Sequence, residues 1–189
     1  MSANAGELWL VRHGETEWSR SGRHTSRTDV PLTPAGEQAA RDLAPRLAGT
    51  TFDLVLTSPR ARARRTAELA GFADARVSDD LVEWDYGDYE GVTTAEIRQT
   101  VPGWTIWTAP CPGGEDGSEV ARRLDRVVEE VGAGGGRVLA FSHGHALRAL
   151  AARWLGRPVE DGRLFGLDTA TISVLGHERE APVVARWNA

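Results

Sequence analysis

The amino-acid sequence predicts an α/β domain, a three-layer sandwich with a mainly parallel central sheet and helices on both faces. Three observations carry that prediction. Short apolar runs alternate along the chain with stretches of helical periodicity. The runs are apolar throughout rather than every second residue, as strands buried on both faces are. They also end abruptly in polar turns, at Arg12-His13-Gly14, Ser58-Pro59 and Ser142-His143-Gly144, and in such sheets ligands bind beyond the carboxyl ends of the strands.

Residues 1–6 are small and polar, with no basic stretch leading into an apolar one, and are expected to be a flexible N-terminus without a signal peptide. Residues 8–11 form the first buried strand. Thr33-Pro34 reads as an N-cap with proline at the first helical position. Ala39, Ala40, Leu43 and Leu47 then share one helical stripe over 34–48. Residues 53–57 are a second strand, and a helix to Ala70 follows Ser58-Pro59 almost at once. A third short strand is expected at 76–77. Residues 81–112 differ in character, being rich in Trp, Tyr, Gly and Pro, and read as loops with one helix over 94–101, lying above a site. A helix over 119–131 places Val120, Leu124, Val127, Val128 and Val131 on its apolar side, and the glycine run 132–136 is expected to end it. Residues 137–142 form the next strand and 146–155 the next helix. Residues 171–175 and 182–187 are late strands at one side of the sheet.

Composition excludes several classes. A chain of 189 residues with 41% hydrophobic and 26% charged residues folds around a real core. The single cysteine, Cys111, excludes an internal disulfide framework and a four-cysteine zinc site. A formal charge of -5 argues against a surface that attracts nucleic acid. No run is long enough to span a membrane, and the expected compartment is the cytoplasm. Every basic residue is arginine, so any anion site must use guanidinium forks, backbone N–H groups or histidine, and lysine Schiff-base chemistry is excluded.

A charged residue and a histidine at the end of a buried strand are awkward as core. The pair Arg12-His13 recurs in grammar at Ser142-His143-Gly144-His145. Two imidazoles beside Arg12 and Arg62 would form a cationic bowl suited to a tetrahedral phosphoryl dianion. The stretch from Leu10 to Trp18 resembles the opening motif of the histidine phosphatase superfamily, the phosphoglycerate-mutase-like proteins. The resemblance continues through Gly22-Arg23, Thr25, Asp29, Leu32-Thr33 and Gly36, then through residues 58–67. It resumes at Leu81, Glu83, Tyr86, Gly87, Glu90 and Gly91, at Pro112-Gly113-Gly114-Glu115 with Arg123, and at Ser142-His143-Gly144. It implies a single domain of that superfamily over 7–189, with the phosphoglycerate-mutase-like fold.

The resemblance also implies roles. His13 is the expected nucleophile, forming a phosphohistidine, with its other ring nitrogen held by a backbone carbonyl near Gly14. Arg12, Arg62 and His143 are expected to clamp the phosphoryl oxygens, His143 as a cation or hydrogen-bond donor once phosphate is bound. Glu83 is expected to protonate the leaving oxygen and then help activate water. Ser19, Thr25, Ser26, Tyr86, Gly144 and His145 are the expected pocket wall, with His24 close by. Taken alone, these wall residues read as loop hydroxyls or core packing; only the motif order promotes them. Trp84, Trp104 and Trp107 read as packing beneath the middle section.

This mechanism asks for no metal or other cofactor. The expected partner is a small phosphorylated substrate, with no nucleic acid and no membrane; a homodimer through an edge strand or exposed helix is left open. Residues 84–142 are few compared with the related mutases, and carry fewer basic residues for gripping a substrate carboxylate. Ser19 and His145 stand where mutases usually have asparagine. These departures favour hydrolysis of phosphomonoesters over mutase chemistry, and the resemblance is nearest to acid-phosphatase-like and sugar-bisphosphatase-like branches. A phosphoglycerate mutase and a sugar-bisphosphate-specific phosphatase remain the alternatives. A metal-dependent hydrolase on His13, His143 and His145 lacks ligand spacing, and a phospho-ligand binder with a dead site lacks any missing residue.

Overall fold

The computed structural model describes residues 6–189. The strands are β1 (Glu7–Arg12), β2 (Leu54–Thr57), β3 (Arg76–Val77), β4 (Arg137–Ser142), β5 (Ile172–Glu178) and β6 (Ala181–Arg186). They form one mixed, mostly parallel sheet in the order β3-β2-β4-β1-β5-β6. The first four strands run parallel, while β5 is antiparallel to β1 and β6 to β5. In β1, Leu8 and Leu10 enter one core cluster, and Val11, with the partly buried Trp9, packs into the other. Both faces of the strand are covered, which is why the run is apolar throughout. Each fully buried leucine here contributes about 1.5–3 kcal/mol relative to exposure.

The helices are α1 (Glu17–Ser21), α2 (Pro34–Leu47), α3 (Ala61–Leu69), α4 (Thr94–Thr100), α5 (Gly117–Gly134) and α6 (Gly144–Trp154). Leu43 and Leu47 of α2 and Ala67 of α3 pack with Val11, Leu139 and Phe141 on one face. Val120, Leu124 and Val127 of α5 and Leu147 and Leu150 of α6 pack with Leu8, Leu10 and Ala140 on the other. The result is the α/β three-layer architecture. Trp84, Trp104 and Trp107 of the middle section are buried in the second cluster. They pack its underside, with Trp84 Nε1 donating to Glu115 O (3.0 Å) and Trp104 Nε1 to Pro110 O (3.3 Å).

Several boundaries differ from expectation for local reasons. The segment expected to be flexible lies, for residues 1–5, outside the described residues; Gly6 is buried, and a Cβ there would lie 2.6 Å from Val131 O. Helix α1 was not anticipated. It is started by Thr16, whose hydroxyl accepts from Ser19 N (3.0 Å) while Ser19 Oγ accepts from Thr16 N (2.9 Å). Helix α5 begins at Gly117, two residues early, because Asp116 Oδ1 accepts from Ser118 N and Glu119 N, an N-cap worth about 1 kcal/mol. It also continues through Gly132 and Gly134, ending only where Gly135 adopts φ +61°. Helix α6 begins at Gly144 rather than Ala146, with His143 at its N-cap. That shift matters to the site, because the N–H groups of a helix's first turn have no partner within the helix.

Candidate active site

Strands β1, β2 and β4 end side by side. Arg12 is in register with Ser142 and Thr57 with Phe141, and the ladder extends through His13 N to Ser142 O and Ser58 N to Phe141 O, each 2.9 Å. His13, Ser58 and His143 therefore leave the sheet at one point, beyond the carboxyl ends of its parallel strands. The His13 and His143 rings meet edge to face with centroids 5.2 Å apart.

The turn after β1 is tightly held. Gly14 N donates to Thr66 Oγ1 (3.0 Å), which donates to Arg62 O (2.7 Å). A Cβ on Gly14 would lie 2.4 Å from Gly36 O, and one on Gly36 would lie 2.2 Å from Glu15 O. The start of α2 thus presses directly on this turn, and only glycine fits at either contact. Within it, His13 Nδ1 lies 2.7 Å from Gly14 O. A carbonyl only accepts, so Nδ1 carries the proton and Nε2 keeps its lone pair. Burial, then Arg62 and Arg12, hold the His13 imidazole well below its ordinary pKa, against the raising effect of the Gly14 carbonyl. The ring is a neutral base.

Arg62 and His143 lie in the floor behind it, at 1% and 0% exposure. Arg62 Nε donates to His143 Nδ1 (3.2 Å), its NH1 to Thr28 O (3.0 Å), and its NH2 to Thr25 O and Ser26 O (3.0 and 3.2 Å). Because Nδ1 accepts, His143 Nε2 carries the proton and donates to Ser58 Oγ (2.7 Å). His143 is therefore neutral, its pKa driven well down by burial and by Arg62 and His13. It was expected to be a cation or donor toward bound phosphate; both its nitrogens are engaged by protein, Nδ1 by Arg62 and Nε2 by Ser58. Ser58, which holds this tautomer, was not among the expected site residues. Its signal was the polar turn at the end of β2.

Arg12 donates through NH1 to Leu167 O (2.5 Å), while its Nε is buried without a hydrogen-bond partner. Burial lowers its pKa, opposed by Glu83. A buried N–H left unpaired is costly, and this one belongs to a guanidinium on the wall of a cavity of about 260 Å³. Glu83 lies on the same wall. Its Oε1 accepts from Trp84 N (2.9 Å) and Ala146 N (2.8 Å), and its Oε2 from His145 N (3.1 Å). Two of those donors are the free first-turn N–H groups of α6, where a carboxylate also meets the positive end of the helix dipole.

The cavity brings together Arg12, His13, Glu83, Ser19, Thr25, Tyr86, Gly144 and His145 from the expected set. Ser26 is placed elsewhere: its hydroxyl donates to Glu90 Oε2 (2.7 Å) and its carbonyl faces Arg62. It lies outside the cavity wall because the bend at 26–28 turns its side chain toward the middle section. Ser19 Oγ is largely committed to the α1 capping box. Tyr86 OH and His145 Nδ1 are 2.6 Å apart. His24, Thr94, Arg148 and Leu167 also line the cavity. His24 stacks on Tyr86 at 4.6 Å, and burial lowers its pKa to about 4, against a raising effect from Glu90. Arg148 was not anticipated, since among so many arginines nothing in the sequence set it apart. It packs over Trp107, Cζ 4.8 Å from the ring centroid, with Nε on Gly162 O (3.1 Å). Among the described residues, no group of three or more His, Cys, Asp or Glu side chains is arranged to hold a metal ion. No helix among them is long and apolar enough to cross a membrane.

A parallel sheet whose strand ends gather a tethered neutral imidazole, the partly buried guanidinium of Arg12 and the buried one of Arg62 at one point is suited to phosphoryl chemistry. The chain belongs to the histidine phosphatase superfamily (branch 1), which it matches over residues 8–189. It is 43% identical over 185 residues to an acid phosphatase of Mycobacterium tuberculosis, covering 94% of this chain and 90% of that one. It is 38% identical over 184 residues to sedoheptulose 1,7-bisphosphatase of Saccharomyces cerevisiae, covering 80% and 68%. The solved structure of an open-reading-frame product of Mycobacterium tuberculosis superposes with a TM-score of 0.91 at 40% identity, covering 97% of each chain.

Proposed function

We propose that this phosphatase hydrolyses small phosphomonoesters through a phosphohistidine on His13. The observation that carries this reading is the His13 Nδ1–Gly14 O hydrogen bond, which leaves an unprotonated Nε2 at a cavity walled by Arg12 and Glu83. A phosphomonoester monoanion brings in one proton, which Glu83 takes up on binding; Nε2 attacks phosphorus, and the bond to the ester oxygen breaks as that oxygen takes this proton from Glu83. Glu83 then accepts a proton from water, whose oxygen attacks the phosphohistidine. Inorganic phosphate leaves and His13 is restored. Arg12 and Arg62 supply positive charge as negative charge spreads over the equatorial oxygens. His143 joins them by turning its Nε2–H from Ser58 Oγ to a phosphoryl oxygen, while Nδ1 keeps its bond from Arg62. Every group named belongs to the chain, so no metal enters a step.

Two supports bear on the substrate. The neutral His13 suits a nucleophile at acid pH, in keeping with the acid phosphatase relative. Arg148 favours, as a second reading, substrates with another anionic group, such as sugar bisphosphates: among the described residues its terminal nitrogens have no hydrogen-bond partner, and it shares the cavity with Arg12. The short middle section supports hydrolysis over transfer to a second hydroxyl, which would need the intermediate shielded from water.

A substrate panel tests both readings, with p-nitrophenyl phosphate, 3-phosphoglycerate, a sugar phosphate and a sugar bisphosphate. Phosphate release should survive EDTA, exceed 2-phosphoglycerate formation, and fall by about three orders of magnitude or more in His13→Ala. An active His13→Ala enzyme or dominant isomerisation sinks the reading. Arg148→Ala should raise KM for the bisphosphate by about tenfold, about 1.4 kcal/mol, and leave p-nitrophenyl phosphate little changed. Equal effects on both substrates remove the second reading.

A further inference from the structure

Arg62 is held by three carbonyls, those of Thr25, Ser26 and Thr28, all from one short stretch without helix or strand. Consecutive peptide groups in an irregular segment do not point their oxygens at one guanidinium unless something fixes the segment. The opposite side of the stretch shows what does. Ser26 N lies 3.0 and 2.9 Å from Glu90 Oε1 and Oε2, Ser26 Oγ donates to Oε2 (2.7 Å), and Thr28 N donates to Oε1 (2.9 Å). One carboxylate gathers the N–H groups and one guanidinium gathers the C=O groups. The peptide group joining Thr25 and Ser26 is shared directly, its C=O on Arg62 and its N–H on Glu90, and Thr28 meets both through its own C=O and N–H.

Glu90 is itself well fixed. Its N–H donates to Gly87 O (3.1 Å), and its neighbours zip onto the same loop, Gly91 N to His24 O (2.8 Å) and His24 N to Val92 O (3.0 Å). Burial pushes the Glu90 carboxyl up, but the bonds from Thr28 and Ser26 outweigh it and leave the group below its ordinary pKa. Glu90 takes no part in the cavity wall.

We propose that Glu90 is a positioning residue for phosphoryl transfer, acting through the peptide groups of residues 25–28 to aim Arg62, and through Arg62 Nε to fix the tautomer of His143. The inference rests on the reading of Arg62 as a transition-state clamp. Without Glu90, the N–H groups of Ser26 and Thr28 lose their acceptor, the segment relaxes, and Arg62 loses the carbonyls that orient it. Misplacing a charged group that matters most in the transition state lowers kcat more than substrate binding.

The test is a double-mutant cycle on kcat and KM with p-nitrophenyl phosphate, using wild type, Glu90→Gln, Arg62→Ala and the double variant, with His13→Ala as control. Vanadate and inorganic phosphate serve as paired inhibitors, because vanadate adopts the five-coordinate geometry of the transferring group. Glu90→Gln should lower kcat by about 10- to 100-fold with KM within about twofold, and weaken vanadate more than phosphate. The double variant should be no slower than Arg62→Ala alone, because the effect passes through Arg62. Unchanged kcat in Glu90→Gln, or the same fold-loss in the Arg62→Ala background, overturns the proposal. If Glu90→Gln does not fold, Ser26→Ala, which removes one of the four contacts, should show the same kcat-selective loss at smaller size. A Ser26→Ala enzyme with unaltered kcat then overturns it. A wild type without phosphatase activity overturns the functional reading and this inference together; an active wild type with additive losses overturns this one alone.

Discussion

His13 is set up for chemistry by a single proton. Its Nδ1–H is given to Gly14 O, so the nitrogen facing the cavity is the basic one. Burial and the two arginines make a second proton expensive, and His143 behind it is kept neutral by the same forces. A neutral His13 should therefore persist as pH falls through 6.5, where an exposed histidine becomes charged. Histidine NMR of the phosphate-free enzyme checks this: the His13 ring resonances should stay those of the neutral Nδ1–H tautomer well below pH 6.5. A titration centred near 6.5 would remove the basis for activity at acid pH. At this scale the sequence was most legible for residues whose roles need a fixed position on a strand end. Arg12, His13 and His143 fall there because strand ends can be read from apolar runs. Ser58 was legible as a strand end but not as a hydrogen-bond partner, and Arg148 was not legible, since a residue on a helix acquires meaning only from what packs beside it.

The elements explain why the His13 turn holds its shape. Three of them meet at it: β1 supplies the turn, α2 presses Gly36 on Gly14, and α3 supplies Thr66 as acceptor for Gly14 N. Thr66 is fully buried, and its hydroxyl also satisfies Arg62 O. Thr66→Val keeps the shape and removes both bonds, leaving the buried Gly14 N–H without an acceptor. We expect a loss of about 1–3 kcal/mol, measurable by urea unfolding. A change within about 0.5 kcal/mol would show that the turn does not depend on this bond. The proline and cap signals predicted α2 well, because Thr33 and Pro34 act locally. The start of α6 was misplaced by two residues because His143 and Gly144 read as turn. Glu83, remote in sequence, accepts the His145 and Ala146 N–H groups and shows the helix already under way there.

Across the molecule, His13, His24, His143 and His145 all have pKa values held down in the folded state, burial being the largest cause in each case. In the unfolded chain they titrate near 6.5. Above that pH both states carry the rings neutral, and the shifts cost nothing. Below it the unfolded state binds protons that the folded state does not, so stability falls as pH falls. The slope is up to about 1.4 kcal/mol per pH unit for each histidine, and for His24 it ends near pH 4, where the folded ring also protonates. Thermal unfolding between pH 7.5 and 5 should show Tm falling on the acid side. A Tm that is flat or rises toward pH 5 contradicts the buried neutral cluster.

The amino-acid sequence by itself determined the layers, the strand ends and the superfamily, because apolar periodicity, proline and cap chemistry and short motifs are local and survive without a partner. Only the tertiary structure decided which groups share protons. The tautomer of His143 depends on Arg62 and Ser58, the N–H groups around Glu83 on where α6 begins, and the aim of Arg62 on a carboxylate far along the chain at Glu90. Hydrogen bonds between segments distant in sequence leave no period to read, and they set the charge on each ring and the direction of each guanidinium.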